Sequence, residues 1–439
     1  GCGGRGTGAA VQALLSKQNV KLVAMADAFR DRLDDAYKSI TGDLTEAGIA
    51  GDIKKLIDVP EERKFVGFDG YKNAIALADV VILTTPPGFR PIHFEEAVKQ
   101  GKHIFMEKPV ATDPEGVKRV LVAAAEAKTK KLNVVVGLQR HYQNSYRELF
   151  KRKDMIGDIT SAQAWWNNDG VWVKPRTAGQ TEMEYQMRNW YYFNWLCGDH
   201  INEQHIHNLD VINWFKGGYP VKAQGLGGRE VRKGKDHGEI FDHHFVEFTY
   251  ADGSILNSQC RHIPKTSAKV DELFIGTKGK IYCGAANIRD HQGNVMYQFD
   301  KKTENNGYQN EHVELFAAIA KGEYKFADAE NGAKSAWIAA GAAPGCMARC
   351  EFEKYEVIRG CAPPVMVSLI YSKLNASIMA WRTRQSENSA LRVFITKPVM
   401  PDGFLCEISD LTTSPRAAAG KSYWRAHVSA LNSRTAETS

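Results

Sequence analysis

The sequence predicts an α/β protein in which an N-terminal, doubly wound parallel sheet precedes an α+β domain with a large, open, mostly antiparallel sheet. Two observations predict this fold class. Over residues 1–137, short apolar segments that read as buried strands alternate with helical segments, which is the order typical of a parallel sheet. Over residues 138–340, short segments of alternating polar and apolar residues follow one another, as in an antiparallel sheet.

The chain opens on a glycine motif. Residues 1–6 satisfy the pattern G-x-G-x-x-G, which is weak alone because glycine is common. Here a helical pattern follows at 9–15, and residues 21–26 read as a buried strand that closes on Asp27. Glycines permit a tight turn and the close approach of backbone to a pyrophosphate, while a helix N-terminus offers free N–H groups. The unit therefore predicts a dinucleotide-binding Rossmann domain.

Asp27 indicates which dinucleotide is bound. An acid at the end of the second strand accepts hydrogen bonds from the adenosine ribose hydroxyls and repels a 2′-phosphate. NAD is therefore favoured over NADP, although nearby Arg30 leaves dual use open. A tight structural turn with a solvated Asp27 is the alternative. The fold also calls for a strand before Gly1, and the printed sequence begins at the motif itself.

Two further strand ends carry polar motifs. An apolar run at 78–83 leads into Thr-Thr-Pro-Pro at 84–87, and a strand at 102–106 leads into Glu-Lys-Pro at 107–109. Parallel sheets place ligands at the carboxyl ends of their strands. With the glycine motif and Asp27, these blocks resemble the Gfo/Idh/MocA (glucose–fructose oxidoreductase / inositol dehydrogenase) family over residues 1 to about 340. The candidate cofactor-binding residues are Gly1, Gly3, Gly4, Arg5, Gly6, Asp27, Arg30, Thr84, Thr85, Pro86, Glu107, Lys108 and Arg140.

The resemblance implies a catalytic role for Lys108, because the lysine of the family's E-K-P motif lies between nicotinamide and substrate. Such a lysine can exchange a proton with a substrate hydroxyl or hydrogen-bond it. A lysine extending from a strand end into solvent is the structural alternative. The family further implies an NAD(P)-dependent dehydrogenase that acts on the CH–OH group of a sugar, inositol or related polyol. It also implies a homo-oligomer, dimer or tetramer, that uses the open sheet as an interface.

Residues 198–215 are the densest chemical segment and read as one helix. On such a helix His200, Glu203, His207 and Asp210 fall along one stripe. The family carries an acid, then His four residues later and Asp three beyond, which makes His207 the candidate base and Glu203 the carboxylate near the substrate. Glu203 stands where Asp is usual, so the reach of the carboxylate differs. A metal held by His200, Glu203 and His207, aided by His243 or His244, and a structural core role for His207 are the alternatives; no metal is assigned.

An aromatic cluster precedes this segment and includes Trp165, Trp166, Trp172, Trp190 and Trp195. Aromatic faces stack on sugar C–H faces, but a packing or subunit-interface loop explains them equally well. The candidate substrate-contacting residues are Tyr142, Trp166, Arg188, Trp190, His200, Glu203 and His207.

Three segments are expected: an NAD-binding domain at 1–137, a substrate and oligomerisation domain at 138–340, and an atypical tail at 341–439. The resemblance ends near residue 336. The tail is either a small added domain, with strands at 364–374 and 391–395, or a translated artefact such as a frameshift or retained intron. The abrupt change within a helix favours the artefact.

Composition excludes several classes of function. A net charge of +6 over 439 residues, with both signs interspersed, gives no support for nucleic-acid binding. Eight cysteines without a CxxC pair indicate reduced, mostly buried thiols. No apolar run is long enough to span a membrane. We expect a cytoplasmic protein by default, or an exported one if a signal peptide lies upstream of Gly1. Alternatives to the dehydrogenase are an NAD-dependent glycosidase with transient redox, which typically lacks the E-K-P lysine, and an inert cofactor-binding protein.

Overall fold

The computed structural model describes residues 1–49 and 53–341, together with the backbone of a short strand at 350–351. Its first part is the predicted α/β domain, in which every strand pairing is parallel. The strands are β1 Met25–Asp27, β2 Lys64–Val66, β3 Val80–Leu83, β4 His103–Met106 and β5 Val134–Val136. The helices are α1 Gly4–Leu14, α2 Arg30–Glu46, α3 Ile53–Leu56, α4 Gly70–Ala76, α5 Arg90–Lys99 and α6 Pro114–Thr129.

Local sequence explains why these elements form. In α6, Pro114 occupies the first turn and the Asp113 carboxylate accepts a hydrogen bond from the Gly116 N–H at 2.8 Å, so the helix N-terminus is capped. All three residues of β5 are buried, because helices cover both faces of the sheet. The continuous apolar character of 134–136 is thus the signature of a central parallel strand.

The parallel sheet has two parts within the described residues: β1 pairs with β2, and β3, β4 and β5 form the other part. A cavity of about 820 Å³ lies between β1 and β3 and extends to the glycine motif. Gly1 bridges the two parts at the carboxyl ends of these strands, since its N-terminal amine donates to the Ala26 carbonyl at 2.9 Å and its own carbonyl accepts from Thr84 Oγ1 at 2.7 Å. The glycine motif therefore occupies the edge where a parallel sheet binds ligands.

The second part of the chain forms the predicted open sheet. Its order is β13-β12-β11-β10-β6-β9-β8-β7-β14, and all pairings are antiparallel except that of β6 with β9. The strands are β6 Ile159–Asn168, β7 Lys222–Gly228, β8 His243–Thr249, β9 Ile255–His262, β10 Lys269–Gly276, β11 Gly279–Tyr282, β12 Asn287–Asp290, β13 Val295–Gln298 and β14 Cys350–Glu351. The helices are α7 Asn144–Lys151, α8 Glu182–Arg188, α9 Asn194–Cys197, α10 Asp199–Glu203, α11 Ile206–Lys216, α12 Gly307–Ala320 and α13 Ala329–Gly341.

The open sheet is covered on one face by α11. Leu209, Ile212 and Phe215 of this helix share an apolar core with Phe248 and Phe274 of the sheet, and all five are fully buried. After the sheet the chain returns to the first domain, where α12 packs on α1 and α13 packs on α6. Among the described helices none has the length and apolarity to cross a bilayer. The tail strands expected at 364–374 and 391–395 lie outside the described residues.

The single helix expected at 198–215 is wrong: the structure has two helices, α10 and α11, that are separated at residues 204–205. The segment starts on Gly198 with φ +73°, where an added Cβ would lie 2.4 Å from Asn202 Nδ2. Asp199 follows with φ +68°, a left-handed conformation that is uncommon for a residue with a side chain. The interruption breaks the predicted stripe, so His200 and His207 face different surroundings.

A buried histidine on α12 makes the stability of the fold sensitive to acid. His312 is fully buried against Phe105, and burial lowers its pKa to about 3. In the unfolded chain it takes up a proton below its ordinary pKa of about 6.5, so this contribution to stability is lost as the pH falls below 6.5. We expect His312→Leu to reduce the loss of unfolding free energy between pH 7 and pH 5 by about 2 kcal/mol. Urea unfolding at both pH values measures it. Exposed His291→Leu is the control, and an unchanged pH dependence in His312→Leu contradicts the account.

Candidate functional site

The glycine motif has two tight and two open positions. A Cβ on Gly1 would lie 2.6 Å from the Thr85 N, and a Cβ on Gly6 would lie 2.0 Å from the Gly1 carbonyl oxygen. Gly3 and Gly4, in contrast, have nothing within 4 Å of the Cβ position. The first pair must be glycine for the turn to close, while the second leaves room over the first turn of α1. Free N–H groups at this helix start fit a pyrophosphate.

Asp27 lies beside this loop, at the end of β1. Its carboxylate accepts hydrogen bonds from the Cys2 N–H at 2.6 Å and the Phe29 N–H at 3.0 Å, so it is held in place against the motif. Asp27, Thr84, Thr85 and Pro86 line the same cavity as the glycines. The structure therefore brings these predicted cofactor-binding residues together, and the donor set fits a dinucleotide.

Arg30 does not join them. It starts α2 and its guanidinium pairs with Asp34 at 2.9 Å and with Glu61, with about half of the side chain exposed. Arg5 does join them: it forms an ion pair with Glu107 at the end of β4 and donates to Glu311 of α12 at 3.2 Å. Burial and the neighbouring Glu107 raise the pKa of Glu311 well above its ordinary value. This network connects the glycine motif with the E-K-P segment.

Lys108 forms an ion pair with Glu203 where β4 meets α10. Its Nζ donates to the Glu203 carbonyl oxygen at 2.5 Å and to Glu203 Oε1 at 3.1 Å. The Lys108 side chain is 11% exposed and the Glu203 side chain is 10% exposed. Burial raises the pKa of Glu203, and the Lys108 ammonium opposes part of that rise. The lysine is thus fixed by an acid on the second domain, not free in solvent.

His207 lies in the first turn of α11, four residues after Glu203. It is 4% exposed, and its ring stacks on Trp166 of β6 with centroids 5.9 Å apart. Burial first, and then the positive charges of Lys108, Arg140 and Arg5, lower its pKa well below 6.5. Its Nδ1 is buried and has no hydrogen-bond partner among the described residues. The imidazole is therefore neutral at physiological pH and can accept a proton.

Arg140 and Asp210 hold the segments around His207 in place. Arg140, which follows β5, is buried and forms an ion pair with Glu272 of β10; Glu272 also accepts from Asn208 Nδ2 at 2.6 Å. Asp210 does not contact His207. It accepts from His141 Nε2 at 2.6 Å, and this contact raises the pKa of His141 against the lowering effect of burial. Through Asn208 and Asp210, α11 is thereby tied to β10 and to the segment that follows β5.

Four predicted substrate residues have no hydrogen bond, ion pair or ring contact with Lys108, Glu203 or His207 among the described residues. Tyr142 is buried and donates to Asp328 at 2.8 Å. Arg188 reaches across to α2, where it pairs with Asp31 at 2.8 Å and covers the Phe29 ring at 4.0 Å, near the Asp27 end of the cavity. Trp190 packs among aromatic neighbours, with the nearest rings 5.7 and 5.8 Å away. His200 is fully buried between α10 and the open sheet.

Comparison with known proteins agrees with this geometry. Residues 1–137 match the model of the Gfo/Idh/MocA oxidoreductase family, described as an NAD-binding Rossmann fold. Over residues 1–137 the chain is therefore similar to the NAD-binding domain of that family. Among curated relatives, inositol 2-dehydrogenase from Gluconacetobacter diazotrophicus is 29% identical over 173 residues, which is 38% of this chain and 45% of that protein. Inositol 2-dehydrogenase from Ralstonia nicotianae is 32% identical over 152 residues, covering 34% of this chain and 39% of that protein.

The chain thus spans less than half the length of these two curated relatives. Solved structures match over more of it. Myo-inositol 2-dehydrogenase from Lactobacillus plantarum superposes with a TM-score of 0.55 at 21% identity, covering 78% of this chain and 94% of that one. Scyllo-inositol dehydrogenase from Lactobacillus casei, solved with NAD(H) and scyllo-inositol, gives 0.52 at 18% identity, covering 75% and 91%. These likenesses show that the two-domain fold is shared.

Sequence analysis assigns no role to two acids that the fold brings to the site. Glu311 is fully buried and 3.2 Å from Arg5. Glu272 is fully buried and binds Arg140. A charged residue at an apolar, inward position of a helix or strand was the available signal, because such a residue is buried only with a partner.

Proposed function

We propose that the protein is an NAD-dependent oxidoreductase that transfers a hydride between nicotinamide and a hydroxyl-bearing carbon of a sugar, inositol or related polyol. The observation that carries the proposal is the juxtaposition of Lys108, Glu203 and the neutral His207 at the junction of the two domains. It combines a hydrogen-bond donor of fixed position with a proton acceptor, which are the two groups that oxidation of an alcohol needs.

The roles of the residues follow from their surroundings. His207 takes the proton of the substrate hydroxyl, because its imidazole is neutral and has a free nitrogen. Lys108, oriented by the backbone carbonyl oxygen and Oε1 of Glu203, donates a hydrogen bond to the same hydroxyl and stabilises negative charge that develops on it. Trp166 holds the imidazole plane by stacking. Bound NAD supplies the acceptor for the hydride that leaves the hydroxyl-bearing carbon. A ketone and a protonated His207 remain.

The preference for NAD over NADP rests on Asp27, whose carboxylate is fixed at the motif by two backbone N–H groups. We expect Asp27→Asn to weaken NAD binding by about 10- to 100-fold, because charge-assisted hydrogen bonds to the ribose are lost. NADP binding should change little or improve, since the repulsion of its 2′-phosphate is removed. Titration of both cofactors by calorimetry measures the effect, with Asp34→Asn on the exposed face of α2 as control. Equal weakening for both cofactors contradicts this role for Asp27.

The direct test is absorbance of reduced nicotinamide with a panel of sugars, inositols and amino sugars. Growth of the signal with one class of substrate supports the dehydrogenase and identifies that class. A flat signal with every member, in a protein that binds NAD, overturns it.

One relative bears on the second candidate, an NAD-dependent glycosidase with transient redox. The Escherichia coli protein named 2,7-anhydro-N-acetylneuraminate hydratase is 26% identical over 185 residues, 41% of this chain and 44% of that protein. Conversion of a glycoside that requires NAD but forms no net NADH would support this second candidate over the dehydrogenase. Chromatography of the sugar products next to the absorbance assay distinguishes the two.

We also propose a homo-oligomer that forms through the open sheet. On the face opposite α11, Leu226 of β7 and Phe245 of β8 pair directly and are 60% and 38% exposed. An apolar patch of this kind is typical of a protein interface. We expect light scattering to give the mass of a dimer or tetramer, and Phe245→Lys to lower that mass. The exposed Leu77→Lys on the first domain is the control. A monomeric wild-type protein contradicts the proposal.

A further inference from the structure

Three metal-ligating side chains converge behind the site. His200 of α10, His244 of β8 and Cys260 of β9 each offer one ligand atom, and these atoms lie within 4.8 Å of one another. All three residues are buried. The set considered on sequence shares His200 and the auxiliary His244 with this cluster, whereas Cys260 takes the place of Glu203 and His207. The cluster lies between α10 and the open sheet.

The ring nitrogens of this cluster lack partners. Within the described residues, His200 Nε2 and both nitrogens of His244 are buried without a hydrogen bond. A buried polar atom left without a partner destabilises the fold. The rings of His200 and His244 lie close to each other, with centroids 4.7 Å apart. Neutral imidazoles with free nitrogens are the form that metals bind.

A carboxylate orients the first of these rings. Asp199 Oδ1 contacts His200 Nδ1 at 2.8 Å, and its Oδ2 accepts from the Phe241 N–H at 2.8 Å. This contact places the proton on Nδ1 of His200 and directs the lone pair of Nε2 into the cluster. Carboxylate–histidine pairs of this kind are the usual second shell of metal-bound histidine. The left-handed φ of +68° at Asp199 puts the carboxylate where it can make both contacts.

The ionisable residues around the cluster are compatible with the binding of a divalent cation. His262 Nδ1 accepts from Arg232 at 2.8 Å, which places the proton of this neutral ring on Nε2 and excludes it as a ligand. Asp242 accepts from three backbone N–H groups next to Arg232 and offsets its charge. The Asp199 carboxylate and a Cys260 thiolate are then available to balance the two charges of the ion.

We propose that His200 Nε2, one nitrogen of His244 and the Cys260 thiolate bind a transition-metal ion of the zinc class. The Cys260 thiol releases its proton to solvent when the ion binds. Ligand atoms on tetrahedral zinc are separated by roughly 3.5 Å, so the set closes by shifts of about 1 Å, with a solvent molecule as fourth ligand. The ion joins α10 to β8 and β9 and thereby fixes the helix whose last residue, Glu203, holds Lys108.

Cobalt titration tests the proposal, because a thiolate ligand gives Co²⁺ an intense charge-transfer band. The full chain is stripped with a chelator, dialysed and titrated with Co²⁺. We expect the band to appear stoichiometrically and to disappear when Zn²⁺ is added. Cys260→Ser should abolish the band, while Cys283→Ser, which alters another buried cysteine of the second domain, should keep it. Asp199→Asn should weaken metal affinity by about 10- to 100-fold. No band in the wild-type protein, or a wild-type band in Cys260→Ser, overturns the proposal.

A second measurement keeps the test decisive if Cys260→Ser does not fold. The wild-type chain is alkylated in mild urea with Zn²⁺ or with chelator, and the cysteines are mapped by mass spectrometry. We expect Zn²⁺ to slow the labelling of Cys260 at least about tenfold, which corresponds to 1.4 kcal/mol, and to leave Cys283 unchanged. Equal labelling of Cys260 in both conditions overturns the proposal.

Discussion

Replacing Lys108 by methionine is expected to lower kcat/KM for oxidation of the substrate by about 10²- to 10³-fold. Methionine keeps most of the length and apolar volume of the side chain but removes the Nζ group that donates to Glu203 and to the substrate oxygen. The dissociation constant for NAD should change little, because the glycine motif and Asp27 line a cavity to which Lys108 does not contribute. Steady-state kinetics and calorimetric titration of NAD measure the two quantities separately.

Two controls separate chemistry from folding. Lys102→Met alters the lysine at the opposite end of β4 and should keep full activity. The double variant Lys108→Met/Glu203→Gln removes the buried carboxyl that the single change leaves unpaired, so it should regain thermal stability without regaining activity. If Lys108→Met retains more than about a tenth of the wild-type kcat/KM, the lysine is structural and the proposed role fails.

The first domain could be predicted well from sequence because its signals are local. A parallel strand covered on both faces must be apolar throughout, and Val134–Val136 shows this directly. The glycine motif is equally local, since the contacts that exclude a Cβ at Gly6 come from Gly1 and Thr84 at one sheet edge. Predicted strands and observed strands therefore differ mainly in length: β1 covers Met25–Asp27, whereas residues 21–26 were expected.

The site could be predicted only in part, because its decisive contacts join distant segments. Lys108 and Glu203 are separated by 95 residues, and Arg5 and Glu311 by 306. The family resemblance supplied the first pair, whereas no local pattern marks the second. The spacing of one continuous helix predicted that His200 and His207 share a face. The interruption at residues 204–205 instead directs His200 toward the open sheet. That interruption depends on how α10 and α11 pack, and the periodicity of the sequence carries no information about this packing.

The prediction for His207 separates a proton acceptor from a packing residue. We expect His207→Ala to lower kcat for oxidation by about 10²- to 10⁴-fold, because the hydroxyl then loses its proton only to solvent. Since burial and nearby cations hold the pKa of His207 well below 6.5, wild-type kcat/KM should not fall when the pH passes downward through 6.5, where an ordinary histidine would take up a proton.

The variant should behave differently in two respects. Its rate should rise about tenfold per pH unit as hydroxide replaces the imidazole, and added imidazole should restore part of the activity through the space left beside Trp166. A histidine that only packs against Trp166 would give neither response. His291→Ala, an exposed change on the turn between β12 and β13, should retain the wild-type profile. Loss of activity in His207→Ala without a new pH dependence or imidazole rescue would assign the proton transfer to Lys108 instead, since Lys108 is the other titratable group placed at the hydroxyl.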